Sequence, residues 1–270
     1  RINRDKNEVN KSLLFLSKKN NYYAIIIQKG NSINRSTLKK IKKDNPNTII
    51  ASYLADNMMK WHNKSLNFHF SLNCYDLVFT INIPDYKKLE EKYGLKGRIF
   101  YLDKYFDNQY HKPLSDKKCD YLYDILFVGS YEKERFNMMN KLAMKGLKIN
   151  IFGNNWEKIN KSLLSNNLTI HYRDLINKEY TKAIYNSKIC LGFLRRINND
   201  TQTSRTFEIP AIGTMMIMER TANHQRLFKE GVEVEFFEDF DELYNKTVYY
   251  LKNSKIREEI ADTPVVDQTR

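Results

Sequence analysis

Short apolar runs alternate with amphipathic stretches along most of this chain. Tyr23 to Gln28, Thr48 to Ser52, Leu77 to Ile81 and Arg98 to Leu102 read as strands, the first an almost unbroken apolar segment stopped by Lys29-Gly30. Between them, Asp5 to Lys18 places Val9, Leu13, Leu14 and Leu16 at roughly helical spacing. Ser36 is placed to cap a helix to Asp44 that turns Leu38 and Ile41 to one side, and Pro84 opens a helix to Tyr93 that Gly94 ends. The pattern pauses from residue 112 to 120 and then restarts. Asp124 to Val128, Lys148 to Phe152, Leu168 to His171, Ile189 to Phe193, Met215 to Met218 and Glu233 to Phe237 are further strands. The helices among and after them carry Phe136, Met139, Leu142 and Ala143 on one side, run from Lys178 to Tyr185 and from Asp241 to Leu251, and close with Ile256 and Ile260 turned inward. Strands alternating with helices predict an α/β chain whose parallel sheets are covered on both faces. Two such units are expected, residues 1–115 and 116–270.

Composition narrows the class. The chain has 270 residues, 41% of them hydrophobic and 29% charged, with only 9 Gly and 5 Pro, which excludes low-complexity and linker-rich proteins. The net charge of +13 invites a polyanion, but the excess sits in scattered pairs such as Lys39-Lys40 and Lys87-Lys88, the pattern of solvated helix faces. Nucleic acid is therefore not the expected partner, while peripheral contact with an anionic surface stays open. Cys74, Cys119 and Cys190 are odd in number and far apart, which suits free thiols in a reducing compartment. No apolar run reaches the length of a membrane span and no signal peptide is visible, so a cytoplasmic location is expected, with the inner membrane face as a peripheral variant.

Ligands of open α/β sheets bind at the carboxyl ends of strands, and the candidate chemistry collects there. Gly129-Ser130 opens a helix after a strand, where free N–H groups and the helix dipole favour an anion, though a lone glycine reads more naturally as a simple tight turn. Gly153 and Trp156 follow the next strand, Trp156 more naturally as core than as a sugar platform. Tyr172-Arg173-Asp174 follows another strand, where its backbone could read a base edge, and the pair Arg195-Arg196 follows a further one, where two guanidiniums suit a diphosphate or simply stand as an exposed loop pair. From Thr201 to Arg205 a hydroxyl-rich loop leads into Glu208, an acid able to accept both hydroxyls of a ribose or merely to sit as a charge at a helix start. Asp239-Phe240-Asp241 has metal-binding spacing, but it precedes an amphipathic helix and reads better as an N-cap, so no metal is expected.

Taken together, Arg205-Thr-Phe-Glu-Ile-Pro-Ala-Ile-Gly213, Glu219-Arg-Thr, His224, Glu230-Gly231 and Phe236-Phe237 resemble the C-terminal half of the CgeB-like glycosyltransferases, bacterial proteins related to spore maturation protein CgeB. Asp124-Ile-Leu-Phe-Val-Gly-Ser130, Ile151-Phe-Gly153 and Tyr180 to Gly192 fit the same family in the same order, and Asp76 to Thr80 and His111-Lys-Pro113 fit it more loosely. The resemblance implies a GT-B architecture, two Rossmann-like domains with parallel sheets facing across a cleft. It implies transfer of a sugar from a nucleotide-diphosphate-sugar to an acceptor hydroxyl of a glycan, lipid or protein, without a bound metal. On this reading Glu208 grips the ribose, Thr203 and Arg205 contact the diphosphate with Gly129, Ser130, Arg195 and Arg196, and the loop around Tyr172 takes the base. The chain departs from the family at Tyr53-Leu-Ala-Asp56, where an acidic pair is usual. The family's first strand and glycine turn are not found after Arg1, so the N-terminal domain is expected to be incomplete. An inverting reaction requires a base, with Asp56 and then His62 as candidates. The alternatives are a non-catalytic GT-B-like binding module or a basic nucleic-acid-binding protein.

Overall fold

Parallel strands cannot be joined by tight turns, so each apolar run here is followed by a helix that carries the chain back to the same end of its sheet. The structure, a computed structural model, describes residues 5–61, 63, 65–114 and 121–263. The chain divides into two compact units: residues 1–103 with 196–200, and residues 104–195 with 201–270. The expected boundary at 115/116 and Cys119 lie outside the described residues.

Unit 1 runs α1 (Val9–Lys19), β1 (Ala24–Gln28), α2 (Arg35–Asp44), β2 (Ile49–Leu54), α3 (Leu66–Ser71), β3 (Leu77–Thr80), α4 (Ile83–Tyr93) and β4 (Ile99–Tyr101). Among the described residues its four strands are parallel, in the order β1-β2-β3-β4. Ile27, Ile50, Leu54, Val78 and Ile99 pack on one face against Leu38 and Ile41 of α2, Phe68 of α3 and Leu89 of α4. The other face departs from the expected two-sided cover. Ile26 there is 72% exposed and Phe100 is 42% exposed. Two local readings also shift. Asn34, not Ser36, is the N-cap residue of α2, and α3 was not anticipated because six residues are too few to show a period. Its marker was polar: Ser65 accepts a hydrogen bond from the Phe68 N–H.

Unit 2 runs β5 (Tyr123–Val128), α5 (Lys133–Met144), β6 (Ile149–Phe152), β7 (Leu168–Ile170), α6 (Asn177–Tyr185), β8 (Ser187–Gly192), α7 (Arg205–Ala211), β9 (Met216–Glu219), α8 (Ala222–Leu227), β10 (Glu235–Phe237), α9 (Phe240–Lys252) and α10 (Ser254–Ala261). Its strands are parallel in the order β10-β9-β8-β5-β6-β7, so the progression of the chain reverses between β5 and β8. Alternate residues feed two cores. Ile125, Phe127, Ile189, Leu191 and Ile217 meet α5 and α9, while Leu126, Val128, Cys190, Met216 and Met218 meet α6 and α7. Cover on both faces explains why these strands read as continuous apolar runs rather than alternating ones. No described helix is long and apolar enough to cross a membrane.

Candidate functional site

The reversal between β5 and β8 marks their carboxyl ends as the place where such sheets take ligands. Arg135 of α5, only 5% exposed, links the two ends, donating to the Ser130 carbonyl at 3.1 Å and to the Phe193 carbonyl at 3.3 Å. Glu132 braces the same point, 3.6 Å from the Arg195 guanidinium. The Gly129 N–H is committed to the Phe152 carbonyl at 2.9 Å, so it is not an anion donor, whereas Ser130 stands exposed at the turn. Trp156 is fully buried and donates its indole N–H to the Gly129 carbonyl at 2.8 Å. It is core, and it holds the β5 turn in place. Gly153 is required here: its φ is +140°, and a Cβ would lie 2.1 Å from the Gly129 oxygen.

After β7, Tyr172 adopts φ +49° and is 47% exposed, presented outward by its strained backbone. The loop is fastened from below. Gly153 donates to the Arg173 carbonyl at 2.8 Å, and the His171 ring stacks on Phe152 with centroids 4.0 Å apart. Burial, and then the Arg173 charge, push the His171 pKa down.

α7 has only seven residues and contains Pro210, which cannot donate to the Thr206 carbonyl. A helix this short does not stand by propensity. Phe207 and Ile209 seat it, each burial contributing about 1.5–3 kcal/mol. That anchoring leaves Arg205 and Glu208, three residues apart, on one half-exposed face. The Tyr180 hydroxyl of α6 donates to Glu208 Oε2 at 2.8 Å, and the Arg205 guanidinium lies over the Tyr180 ring, 5.7 Å from its centroid. Burial, reinforced by the Glu208 charge, raises the Tyr180 pKa well above the ordinary tyrosine value. Arg205 Nε is buried and has no hydrogen-bond partner among the described residues, and the same holds for Thr201 Oγ1. Buried donors are seldom left this way in a finished core.

Beneath it, Thr206 accepts from the Thr203 N–H at 3.1 Å and lies 3.4 Å from His224 Nε2. His224 Nδ1 is 2.6 Å from the Glu219 carbonyl, which can only accept, so Nδ1 carries the proton and Nε2 takes the Thr206 hydroxyl. Burial lowers the His224 pKa from 6.5, against a smaller upward pull from the Glu219 carbonyl. The unfolded chain therefore binds a proton that the folded ring refuses, and this contribution to stability, full above pH 6.5, is lost as pH falls below it. The melting temperature is expected to drop as pH falls below 6.5, and His224→Gln to flatten that drop. A His224→Gln profile parallel to the wild type would remove this role.

Five further positions complete the inventory. Asp239 caps α9 by accepting from the Glu242 N–H at 2.9 Å, in line with its reading as an N-cap. Arg220 is bound to Glu230 and, at 2.6 Å, to Glu242; its hydrogen bond holds the Glu230 carboxyl down at about pKa 2. Arg196 is exposed in the segment 196–200 of unit 1, so of the arginine pair only Arg195 belongs to unit 2. In unit 1, Asp56 is ion-paired with Lys29, and Asn198 Nδ2 lies 3.5 Å from its Oδ1. His62 lies outside the described residues.

Residues 135–264 match the family model described as glycosyl transferase-like. The whole chain is similar in fold to Anabaena HepE solved with UDP-glucose, at TM-score 0.61 and 12% identity over 93% of this chain and 74% of that one. It is similar to a glycosyltransferase from Rickettsia africae at TM-score 0.64 and 13% identity, covering 97% and 77%. TarM gives TM-score 0.66 and 11% identity over 96% of this chain and 55% of TarM. No curated protein matches the chain by sequence. The fold is that of the GT-B glycosyltransferases, two α/β units each built on a parallel sheet.

Arg135 and Glu132 carried no signal in the sequence, and Thr206 and His224 stood within the resemblance without a role, since their partnership forms only in the fold. Tyr180 lay within the resemblance without a role. A buried tyrosine on the apolar side of a helix needs a hydroxyl partner, and that was the one available hint.

Proposed function

We propose that this chain is a glycosyltransferase of the CgeB-like type that uses a nucleotide-diphosphate-sugar. The observation that carries the reading is the α7 face: Glu208 held as a carboxylate acceptor beside Arg205, whose buried Nε has no partner among the described residues. A carboxylate suits paired ribose hydroxyls and a guanidinium suits a diphosphate. The fold-level likeness to HepE, solved with UDP-glucose, supports a nucleotide-sugar as the donor. In the reaction, the acceptor oxygen bonds to the anomeric carbon as the bond to the β-phosphate oxygen breaks. The acceptor proton passes to a base and the nucleoside diphosphate leaves with the negative charge. Arg205, with Arg195 and the Ser130 N–H, stabilises that charge in place of a metal ion. Thr203 stands with them at the phosphates, and the Tyr172 loop takes the base.

A thermal-shift panel of UDP-, GDP-, ADP- and CMP-sugars tests the class and names the base. A clear rise in melting temperature with one nucleotide family is expected; a flat panel would sink the reading. Inversion at the anomeric carbon would need a general base, for which we put forward Asp56. Its Lys29 partner would have to release one carboxylate oxygen. Asp56→Asn is expected to keep donor affinity and lose turnover by about 10²–10⁴-fold, the usual worth of general-base catalysis. Turnover within a few-fold of wild type would remove Asp56 from the mechanism.

A further inference from the structure

Resting on the reading of α7 as the nucleotide site, we infer that Tyr180 is the positioning residue for nucleotide recognition: its hydroxyl orients Glu208 and its ring seats Arg205, so one side chain sets the spacing between the ribose and phosphate ligands. The geometry is specific. Tyr180 belongs to α6 and is 5% exposed, wedged among Leu126, Ala183 and Phe207, with His111 edge-on to its ring at 5.8 Å. Its ring therefore has little freedom. Its hydroxyl sits 2.8 Å from Glu208 Oε2, and towards a carboxylate it can only donate. Glutamate has three rotatable bonds and α7 is under two turns long, so neither the side chain nor its helix can fix the carboxylate unaided. Each carboxylate oxygen has two lone pairs, so accepting from Tyr180 leaves room for two ribose hydroxyls. The Tyr180 ring also carries Arg205, whose guanidinium lies 5.7 Å from its centroid and which has no ion pair among the described residues to hold it elsewhere.

The test compares wild type, Tyr180→Phe, Tyr180→Leu and Glu208→Gln by calorimetry with UDP, GDP, their 2′-deoxy counterparts and inorganic pyrophosphate. Tyr180→Phe keeps the ring, and since Glu208 is half-exposed water can replace the lost donor, so the variant folds. It is expected to reduce the preference for the ribonucleotide over the deoxynucleotide by about tenfold, the scale of one hydrogen bond to a charged group, with pyrophosphate affinity unchanged. Tyr180→Leu is expected to weaken pyrophosphate as well, by about threefold, through the lost ring. If Tyr180→Phe lowers the melting temperature but leaves the preference intact, Tyr180 is only structural and the inference fails. Glu208→Gln separates the two levels. A ribose preference that survives it, or wild type that binds neither nucleotide, overturns the ribose reading itself. Loss of the preference in Glu208→Gln but not in Tyr180→Phe overturns the positioning role alone.

Discussion

Arg205→Gln is expected to lower turnover by about 10²–10³-fold, the range found on removing one preorganised donor to a developing negative charge. The glutamine keeps a polar head of similar reach but cannot balance the charge of a departing diphosphate. The fold should tolerate the change, and the reason is local. Arg205 makes no ion pair among the described residues, and its Nε is already buried without a partner, so the substitution gives up the contact with the Tyr180 ring but also relieves an uncompensated desolvation. The melting temperature is expected to stay level or rise slightly. Steady-state kinetics beside a thermal melt decides it: unchanged kcat would exclude Arg205 from the transition state, and a large loss of stability would show that its effect is structural.

Glu208→Gln is expected to weaken nucleotide binding by about a hundredfold, two charge-assisted hydrogen bonds having become neutral ones. Glutamine is the cleaner probe than alanine. Its amide oxygen still accepts from Tyr180, whereas alanine would leave that buried hydroxyl without an acceptor, costing about 1–3 kcal/mol. For a protein of this size each kcal/mol is worth about 2–4 °C, so Glu208→Ala confounds binding with stability. Calorimetry on Glu208→Gln that returned wild-type affinity would end the ribose assignment.

How much of this was legible follows from where each signal lives. The strands of unit 2 were plain because cover on both faces makes their central positions apolar, as in Ile125 to Val128 and Ile189 to Leu191. The helices α3 and α8 were not, because six residues show no period; their caps, Ser65 and Thr221, were the only local marks. Arg205 and Glu208 could be read from their motif, which lies within seven contiguous residues. The groups that hold them could not. Tyr180 is 28 residues from Glu208, and Arg135 is 58 from the Phe193 carbonyl it bonds. The uncovered face of unit 1 was equally hidden, since the run Ala24-Ile-Ile-Ile-Gln28 looks the same whether one face or both are packed.

The sequence by itself determined the α/β alternation, the order of elements and the candidate acid and arginine of α7. Apolar periodicity and a short motif are properties of neighbouring residues, so they survive in one dimension. Only the tertiary structure decided which polar groups meet: that the Gly129 N–H belongs to the sheet, that His224 underlies the Thr203 turn, and that Tyr180 stands between Glu208 and Arg205. Hydrogen bonds demand partners within about 3 Å and correctly directed. Residues far apart in the chain satisfy that demand only when the fold has set the distance.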